Sequence, residues 1–470
     1  MAEFSVFSFL VSVVVPGLLL LYVFVTCLKR RNHDKQPPVY QGWIPWLGCA
    51  IEFGRSPLTF ILQKQEEFGP VFTLCVAGER YTFLMEAEDF DKFFTSPNVD
   101  FQKAVQDPTN RVASMPKSSF FKYHTKIHDA VKGKLAASQL ALFSDDLCQN
   151  FRENLEKLAG GRDDLMEVVR SAMYPAVIKN LFGQDVLPIA EKEEFDLFTK
   201  HFITFDDQFE YGAKLPGVLL REWSTSKQFL LNIFRSVVSK IQMHENNSPA
   251  KKETLLQIVC GIADQDCMAN YSLLFLWASL ANAIPIAYWT LAFMMQNKDV
   301  LNKAKQQVDS VLKAKSSVSE SDLRQMPYLK CCMLEAIRLR SPGIITRRVV
   351  KSFTVKEMTV PAGDMLMLSP YWAHRNPRYF PQPEQFRPDR WEKADLDKNV
   401  FLPGFVAFGG GRYQCPGRWF ALLEIHMFIA MFLQRFDCKL IDSLPEPSPL
   451  HLVGTQQPRN ACCFQYSLRR

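Results

Sequence analysis

The chain has 470 residues, of which 47% are hydrophobic and 13% aromatic, with 38 phenylalanines. That composition excludes a disordered polypeptide and points to a large core around an apolar cavity. A net charge of +6 without long runs of like charge excludes a basic nucleic-acid-binding surface. The twelve cysteines show no Cys-x-x-Cys pair, which argues against a disulfide framework and for a reducing compartment.

Phe4 to Leu28 is almost wholly apolar, long enough to cross a bilayer as a helix despite Pro16. Lys29, Arg30 and Arg31 follow at once, whereas a cleaved signal peptide carries its basic residues before the apolar core. The positive-inside rule therefore predicts one uncleaved anchor over residues 1–28, with the rest of the chain cytosolic. Asn246-Asn247-Ser248 and Asn270-Tyr271-Ser272 fit the glycosylation pattern but would go unused on that side. Residues 29–45, with Gln36-Pro37-Pro38 and Gly42-Trp43-Ile44-Pro45, read as a basic, proline-rich spacer, leaving 46–470 as the folded domain.

Phe68 to Thr73 reads as a turn entering a strand, with Tyr81 to Leu84 as its neighbour. Phe120 to Leu135 reads as a basic helix carrying Lys122, Lys126, Lys132 and Lys134, a face suited to docking an acidic protein. His124 and His128 stand one turn apart on it, but no third metal ligand accompanies them. From Asp145 to Lys240 the pattern is helical, broken at Tyr211 to Gly217.

Tyr271 to Met295 contains no charge, and hydropathy alone would make it a second membrane span. Asp264 and Asp266 precede it while Lys298, Lys303 and Lys305 follow, the wrong order for a chain already cytosolic. A helix buried on all sides is the better reading. Pro285 should free the carbonyl of Ala281 and bend the helix there, next to the lone amide of Asn282. Ser319-Glu320-Ser321-Asp322 reads as a capping box. Further on, Glu335 and Arg338 share one helix face, and Phe386-Arg387-Pro388-Asp389-Arg390-Trp391 supplies another arginine. The tail, His451 to Tyr466, alternates and suggests a terminal strand pair around a turn at Leu452 to Thr455.

The chemistry concentrates in Phe408-Gly409-Gly410-Gly411-Arg412-Tyr413-Gln414-Cys415-Pro416-Gly417. Three consecutive glycines let the backbone approach a flat ligand where a Cβ would collide with it. Cys415 precedes a helical run, Arg418 to Phe436, whose N-terminal N–H groups and dipole favour a thiolate. A thiolate on an open glycine loop is what a cysteine-ligated haem needs.

This stretch resembles the haem-binding loop of the cytochrome P-450 superfamily, Phe-Gly-x-Gly-x-Arg-x-Cys-x-Gly. Phe408, Gly409, Gly411, Cys415 and Gly417 match, while Tyr413 stands where that pattern has arginine or histidine. The resemblance implies a mainly α fold with smaller β regions, haem b held between an oxygen-binding helix and the cysteine-loop helix. It implies Cys415 as axial iron ligand, and Arg412 or Arg347 toward a haem propionate. Glu335, Arg338 and Arg390 would be the structural triad, and the Tyr211 to Gly217 break a loop roofing the substrate channel. The superfamily's Trp-x-x-x-Arg is absent from the Phe120 helix. In the oxygen-binding helix its acid–alcohol pair is also absent, replaced by Ala281-Asn282-Ala283-Ile284-Pro285.

Trp277-Ala278-Ser279 followed by Asn282-x-x-Pro285 resembles the branch holding the sterol 7α-hydroxylases and prostacyclin synthase. That branch implies monooxygenation at C7 of an oxysterol such as 24-hydroxycholesterol, with O2 and with NADPH delivered by cytochrome P-450 reductase at the endoplasmic reticulum membrane. Asn282 and Pro285 would then hold oxygen or water near iron. A prostacyclin-synthase-like isomerase of a lipid peroxide and a non-catalytic haem or sterol sensor are the alternative readings.

Overall fold

The computed structural model describes residues 16–17, 35–184, 186–244, 253–313, 315–396, 401–449 and 451–469. Apart from Pro16 and Gly17, the expected anchor lies outside the described residues, as do Lys29 to Arg31 and Asn246 to Ser248. The chain forms two compact units, Met1–Ala104 with Thr346–Leu368, and Val105–Ile345 with Ser369–Arg470, where the sequence suggests one domain beyond residue 46.

The smaller unit is built on a six-stranded sheet in the order Val39–Tyr40, Val71–Val76, Glu79–Leu84, Met365–Leu368, Ile345–Val349, Val99–Asp100. Val71–Val76 and Glu79–Leu84 pair antiparallel after a turn at Gly69 (φ 88°), as the sequence indicates. The proline-rich spacer is extended but not free, because Val39 and Tyr40 pair parallel with Thr73 and Leu74. Between Pro38 and Pro45, the β-branched Val39 and the aromatic Tyr40 offer the N–H groups that a strand requires.

In the larger unit the helices that matter for the site are α1 (Lys117–Lys134), α2 (Leu165–Phe182), α3 (Lys192–Asp207) and α4 (Phe209–Gly212). They are followed by α5 (Gln265–Leu280), α6 (Ala283–Gln296), α7 (Pro327–Arg340) and α8 (Arg418–Arg435). Gln265–Gln296 is the one segment among the described residues long and apolar enough to cross a membrane, yet 67% of its apolar window is buried in protein. Helix α6 packs against α2, α7 and α8, and every residue from Ala283 to Met295 is buried. Asn270 is buried too and donates from Nδ2 to the Ala113 carbonyl at 2.6 Å, so its sequon is inaccessible.

Helix α5 ends at Leu280 and α6 begins at Ala283, which places the break at the predicted position. Pro285 occupies the third position of α6, where a missing N–H costs little because first-turn N–H groups have no intrahelical partner. The capping box at Ser319 and Asp322 forms as read. The tail differs from expectation. It contributes one strand, Cys463–Leu468, paired antiparallel with Phe436–Leu440 and with the polar strand Gly161–Asp164. Between His451 and Cys462 there is only an isolated bridge, Pro447 to Pro458, since proline cannot donate to a ladder.

Burial of α6 has a measurable consequence. Trp289 is fully buried and donates from Nε1 to the Gln456 carbonyl at 2.7 Å. Trp289→Ala should cost about 3–5 kcal/mol in equilibrium unfolding, the range for emptying a packed core site. A loss below about 1 kcal/mol would indicate that this face is not packed core.

Candidate active site

Four segments of the larger unit meet around Cys415. The first is the glycine loop. Gly409 and Gly411 both adopt φ 67°, a left-handed conformation open to glycine and costly for other residues. The Cys415 N–H donates to the Phe408 carbonyl at 2.9 Å and the Gly409 N–H to the Val406 carbonyl at 2.9 Å, which folds the loop back on itself. A Cβ built on Gly409 would meet only Ile345 Cδ1, at 3.8 Å, so the backbone faces open space. The backbone N–H groups of Gly417 and Arg418 at the start of α8 lower the pKa of the Cys415 thiol. These groups and the Arg418 charge act in the predicted direction, but loss of bulk water outweighs them and raises the thiol above its ordinary value. Cys415 is nevertheless exposed by area, so the sulfur is open to a ligand.

The second segment braces this loop. Glu335 is fully buried on α7 and accepts from Arg338 Nε and Nη2 and from Arg390 Nε, each at 2.9 Å. The Arg387 N–H at 3.0 Å and Trp391 Nε1 at 2.9 Å complete its shell. Arg338 continues to the His374 carbonyl at 2.7 Å. The Val406 N–H donates to His374 Nε2 at 3.1 Å, so Nε2 is the acceptor and Nδ1–H must donate to the Arg338 carbonyl, 3.2 Å away. Burial and then the Arg338 charge push His374 well below the usual histidine range, which keeps this tautomer neutral. His374 thus carries the predicted triad into the glycine loop, a role no spacing in the sequence announces.

The third and fourth segments form the opposite side. Asn282, at the helix break, accepts on Oδ1 from the Thr455 N–H at 3.0 Å and from Thr455 Oγ1 at 3.4 Å. The backbone donor requires the oxygen there, so the Asn282 amide group presents its NH2 elsewhere. The Ile344 N–H donates to the Leu452 carbonyl at 2.7 Å, tying the segment beside Gly409 to the same turn. Ala278 is exposed within a helix of mostly buried residues, and Ser279 and Asn282 are half-buried, so this face of α5 looks into an opening.

Tyr413 is held by α1. Its hydroxyl lies 3.2 Å from Thr125 Oγ1, its ring is stacked 5.9 Å from His124, and His128 meets it edge-on at 5.5 Å. His128 Nε2 is 3.3 Å from the Gln414 carbonyl. Burial lowers His124 to about 4, so it is neutral at physiological pH. No cluster of three or more metal-ligating His, Cys, Asp or Glu side chains occurs among the described residues. Arg412 turns outward, with Nη2 3.4 Å from Asp129. Arg347 belongs to the smaller unit, where its buried guanidinium lies 5.1 Å from the Phe93 ring and 5.0 Å from Phe101.

A family model for cytochrome P450 matches residues 37–464. The chain belongs to the cytochrome P450 family. The 24-hydroxycholesterol 7-alpha-hydroxylase of Mus musculus is 42% identical to it over 467 residues, spanning 98% of each chain. The Homo sapiens protein of that name is 42% identical over 465 residues, 97% of this chain and 98% of the relative. Cytochrome P450 7B1 of Mus musculus is 26% identical over 491 residues, 98% and 96% of the two chains. Among solved structures, retinoic acid bound cyanobacterial CYP120A1 matches with a TM-score of 0.75 at 20% identity. It covers 93% of this chain and 100% of its own, a likeness that shows the P450 fold.

The residues fit a P450 haem: one sulfur offers a single protein ligand, and the glycine backbone beside it is open. His374 supplies a test of how the loop is held. His374→Ala leaves the half-buried Val406 N–H without its acceptor, at about 1 kcal/mol. The variant should lose haem on gel filtration while wild type retains it, as read by the ratio of Soret to protein absorbance. Unchanged haem retention would show that the loop does not depend on His374.

Proposed function

We propose that this P450 is a haem-thiolate monooxygenase that hydroxylates an oxysterol, 24-hydroxycholesterol, at the 7α position in cholesterol catabolism and bile acid synthesis. The observation that carries the reading is 42% identity across essentially the whole chain to two 24-hydroxycholesterol 7-alpha-hydroxylases. Supporting it, Cys415, the glycine loop, the triad and Asn282 occupy one unit and are joined by hydrogen bonds. We further propose an endoplasmic reticulum location with the catalytic domain cytosolic, and NADPH–cytochrome P450 reductase as electron donor. Exposed Lys122, Lys126 and Lys132 on α1 would offer that acidic partner a basic face. Val218 is 78% exposed and Leu219 68%, an apolar pair suited to contact with lipid.

Cys415 would ligate the haem iron, with Phe408, Gly409, Gly411 and Gly417 shaping the loop beneath the macrocycle. When bound, a thiolate-ligated haem supplies reductive activation of O2, inserting one oxygen atom into a C–H bond and releasing the other as water. Arg412 could reach a propionate only by leaving Asp129, a surface pairing of small energy.

The chain's own contribution to proton handling would come from the helix break. Pro285 has no N–H, so the Ala281 carbonyl has no helical partner and can hold water. Thr455 occupies the Asn282 amide oxygen, which leaves its Nδ2–H as the group able to donate a hydrogen bond into the cavity. Asn282 would therefore act as a donor that positions water, in place of the acid–alcohol pair common in the family.

Two measurements test these roles. Cys415→Ser should abolish the red-shifted carbon-monoxide band of ferrous thiolate haem, and its retention would overturn the ligand assignment. Asn282→Leu should lower 7α-hydroxysterol formation by about ten- to a thousandfold, the span associated with a group that aids proton transfer. NADPH oxidation should persist and release hydrogen peroxide, since electron entry does not involve this residue. If wild type oxidises no NADPH with any oxysterol yet rearranges an endoperoxide, the isomerase reading replaces this one.

A further inference from the structure

The end of α3 and the short α4 bring two carboxylates, Asp206 and Glu210, against Trp277 and the turn at Leu452 to Thr455. Asp206 is buried, and both its oxygens are taken. Oδ1 accepts from Trp277 Nε1 at 2.8 Å and Oδ2 from Gln457 Nε2 at 3.1 Å, with His451 Nε2 3.8 Å away. Its work is to hold the Trp277 indole in place. The Phe209 ring then lies flat on that indole, centroids 3.8 Å apart and planes within 2°.

Glu210 is different. Its Oε1 accepts from the N–H groups of both Leu452 and Val453, the second at 2.5 Å. Its Oε2 has no hydrogen-bond partner among the described residues, and it is not sealed off inside the protein. Burial raises this carboxyl to about 7, against the pull of the two N–H groups, and nearby Asp206 raises it further. A half-buried carboxylate oxygen beside Phe209 and Trp277 is costly unless something donates to it. Stapling the turn needs only one oxygen, so the second is unexplained by structure alone.

The position of Glu210 indicates what donates. The turn it holds at Leu452 and Val453 is held at Thr455 by Asn282, so the two residues grip opposite ends of one segment. On α5, Trp277 precedes Asn282 by five positions, about 7.5 Å of helical rise. Glu210 therefore stands at the Leu452 end of this turn and Asn282 at the Thr455 end, three residues or at most about 10 Å of chain apart.

We propose that Glu210 determines substrate specificity by accepting, on its open carboxylate oxygen, a hydrogen bond from the side-chain hydroxyl of the oxysterol. This rests on the sterol hydroxylase reading above. With C7 at the reaction centre, the C3 hydroxyl sits on the neighbouring ring, whereas the side-chain hydroxyl sits at the far end of the molecule. Glu210 grips the end of the turn away from Asn282, which suits the far end of the molecule rather than the neighbouring ring. Trp277 and Phe209 would line the apolar side chain on its way there.

The test is equilibrium binding to haem-loaded full-length protein, followed by the Soret shift, with 24-hydroxycholesterol, cholesterol and the 3-keto analogue of 24-hydroxycholesterol. At pH 8, above the value of about 7 to which burial raises this carboxyl, wild type should prefer 24-hydroxycholesterol over cholesterol by about ten- to a hundredfold, the range of a hydrogen bond to a charged group. Glu210→Leu should bring that ratio to within about threefold of unity, and Glu210→Gln should leave it intermediate, because a neutral partner makes a weaker bond. Cholesterol affinity should stay within about threefold throughout, a readout that a merely structural role would not preserve. An unchanged ratio in both variants, or an equal loss for cholesterol, overturns the proposal. So does a variant effect that vanishes with the 3-keto compound, which would place Glu210 at the C3 end. If wild type shows no Soret shift and no 7α product with any sterol, the substrate-class reading itself has failed.

Discussion

A single carboxylate with no access to water organises the larger unit. Ionised Glu335 would be prohibitively costly at that depth without compensation, and five hydrogen bonds from Arg338, Arg390, Arg387 and Trp391 provide it. The value of the arrangement lies in geometry more than in net stability. Because Arg338 is fixed by Glu335, its carbonyl fixes the His374 ring, and His374 fixes Val406. Val406 in turn accepts from Gly409, and the loop closes through Phe408 onto Cys415. A buried ion pair some eighty positions upstream of the cysteine in sequence thereby sets where the sulfur stands.

The opposite wall obeys a different constraint. An apolar helix long enough to cross a membrane is instead surrounded by protein, and Pro285 interrupts it where it meets the cavity. The break does two things at once. It leaves a carbonyl without a helical partner, and it lets Asn282 leave helical register far enough to bind Thr455. The turn from Leu452 to Thr455 is then suspended between Asn282 and Glu210, with Ile344 bonded to its first carbonyl. Asn282 and Glu210 share one short piece of backbone, so a change at either grip will be felt at the other.

Much of this was legible in the sequence, for identifiable reasons. Charges flanking Tyr271 to Met295 distinguished a core helix from a membrane span, and Pro285 marked the break because a missing N–H acts locally. Glu335, Arg338 and Arg390 were readable through their resemblance to the family's triad, since helix spacing alone gave Glu335 and Arg338 only a shared face that a solvated surface pair would also have. The partners of the extended spacer and of the tail were not foreseen, since strand pairing depends on residues far along the chain. Val39 finds Thr73, and Cys463 to Tyr466 find Gly161 to Asp164, a segment too polar to read as a strand. His374, Asp206 and Glu210 were invisible for a related reason: each is a lone polar residue whose meaning comes from neighbours that only tertiary structure supplies. Arg412 stands one place before the position where the family pattern has its arginine, which suggested a propionate partner; in the structure its Nη2 lies 3.4 Å from Asp129.

The central claim is that the Cys415 centre and the cavity facing it insert oxygen from O2 into C7 of an oxysterol. The most direct measurement is turnover of 24-hydroxycholesterol by the purified protein with reductase and NADPH under isotopically labelled dioxygen, with the product position assigned by NMR and its mass recorded. The account predicts a 7α-hydroxylated product carrying one labelled oxygen atom, formed only when NADPH is present. A product formed without NADPH, oxygen derived from water, or hydroxylation at another carbon would contradict it.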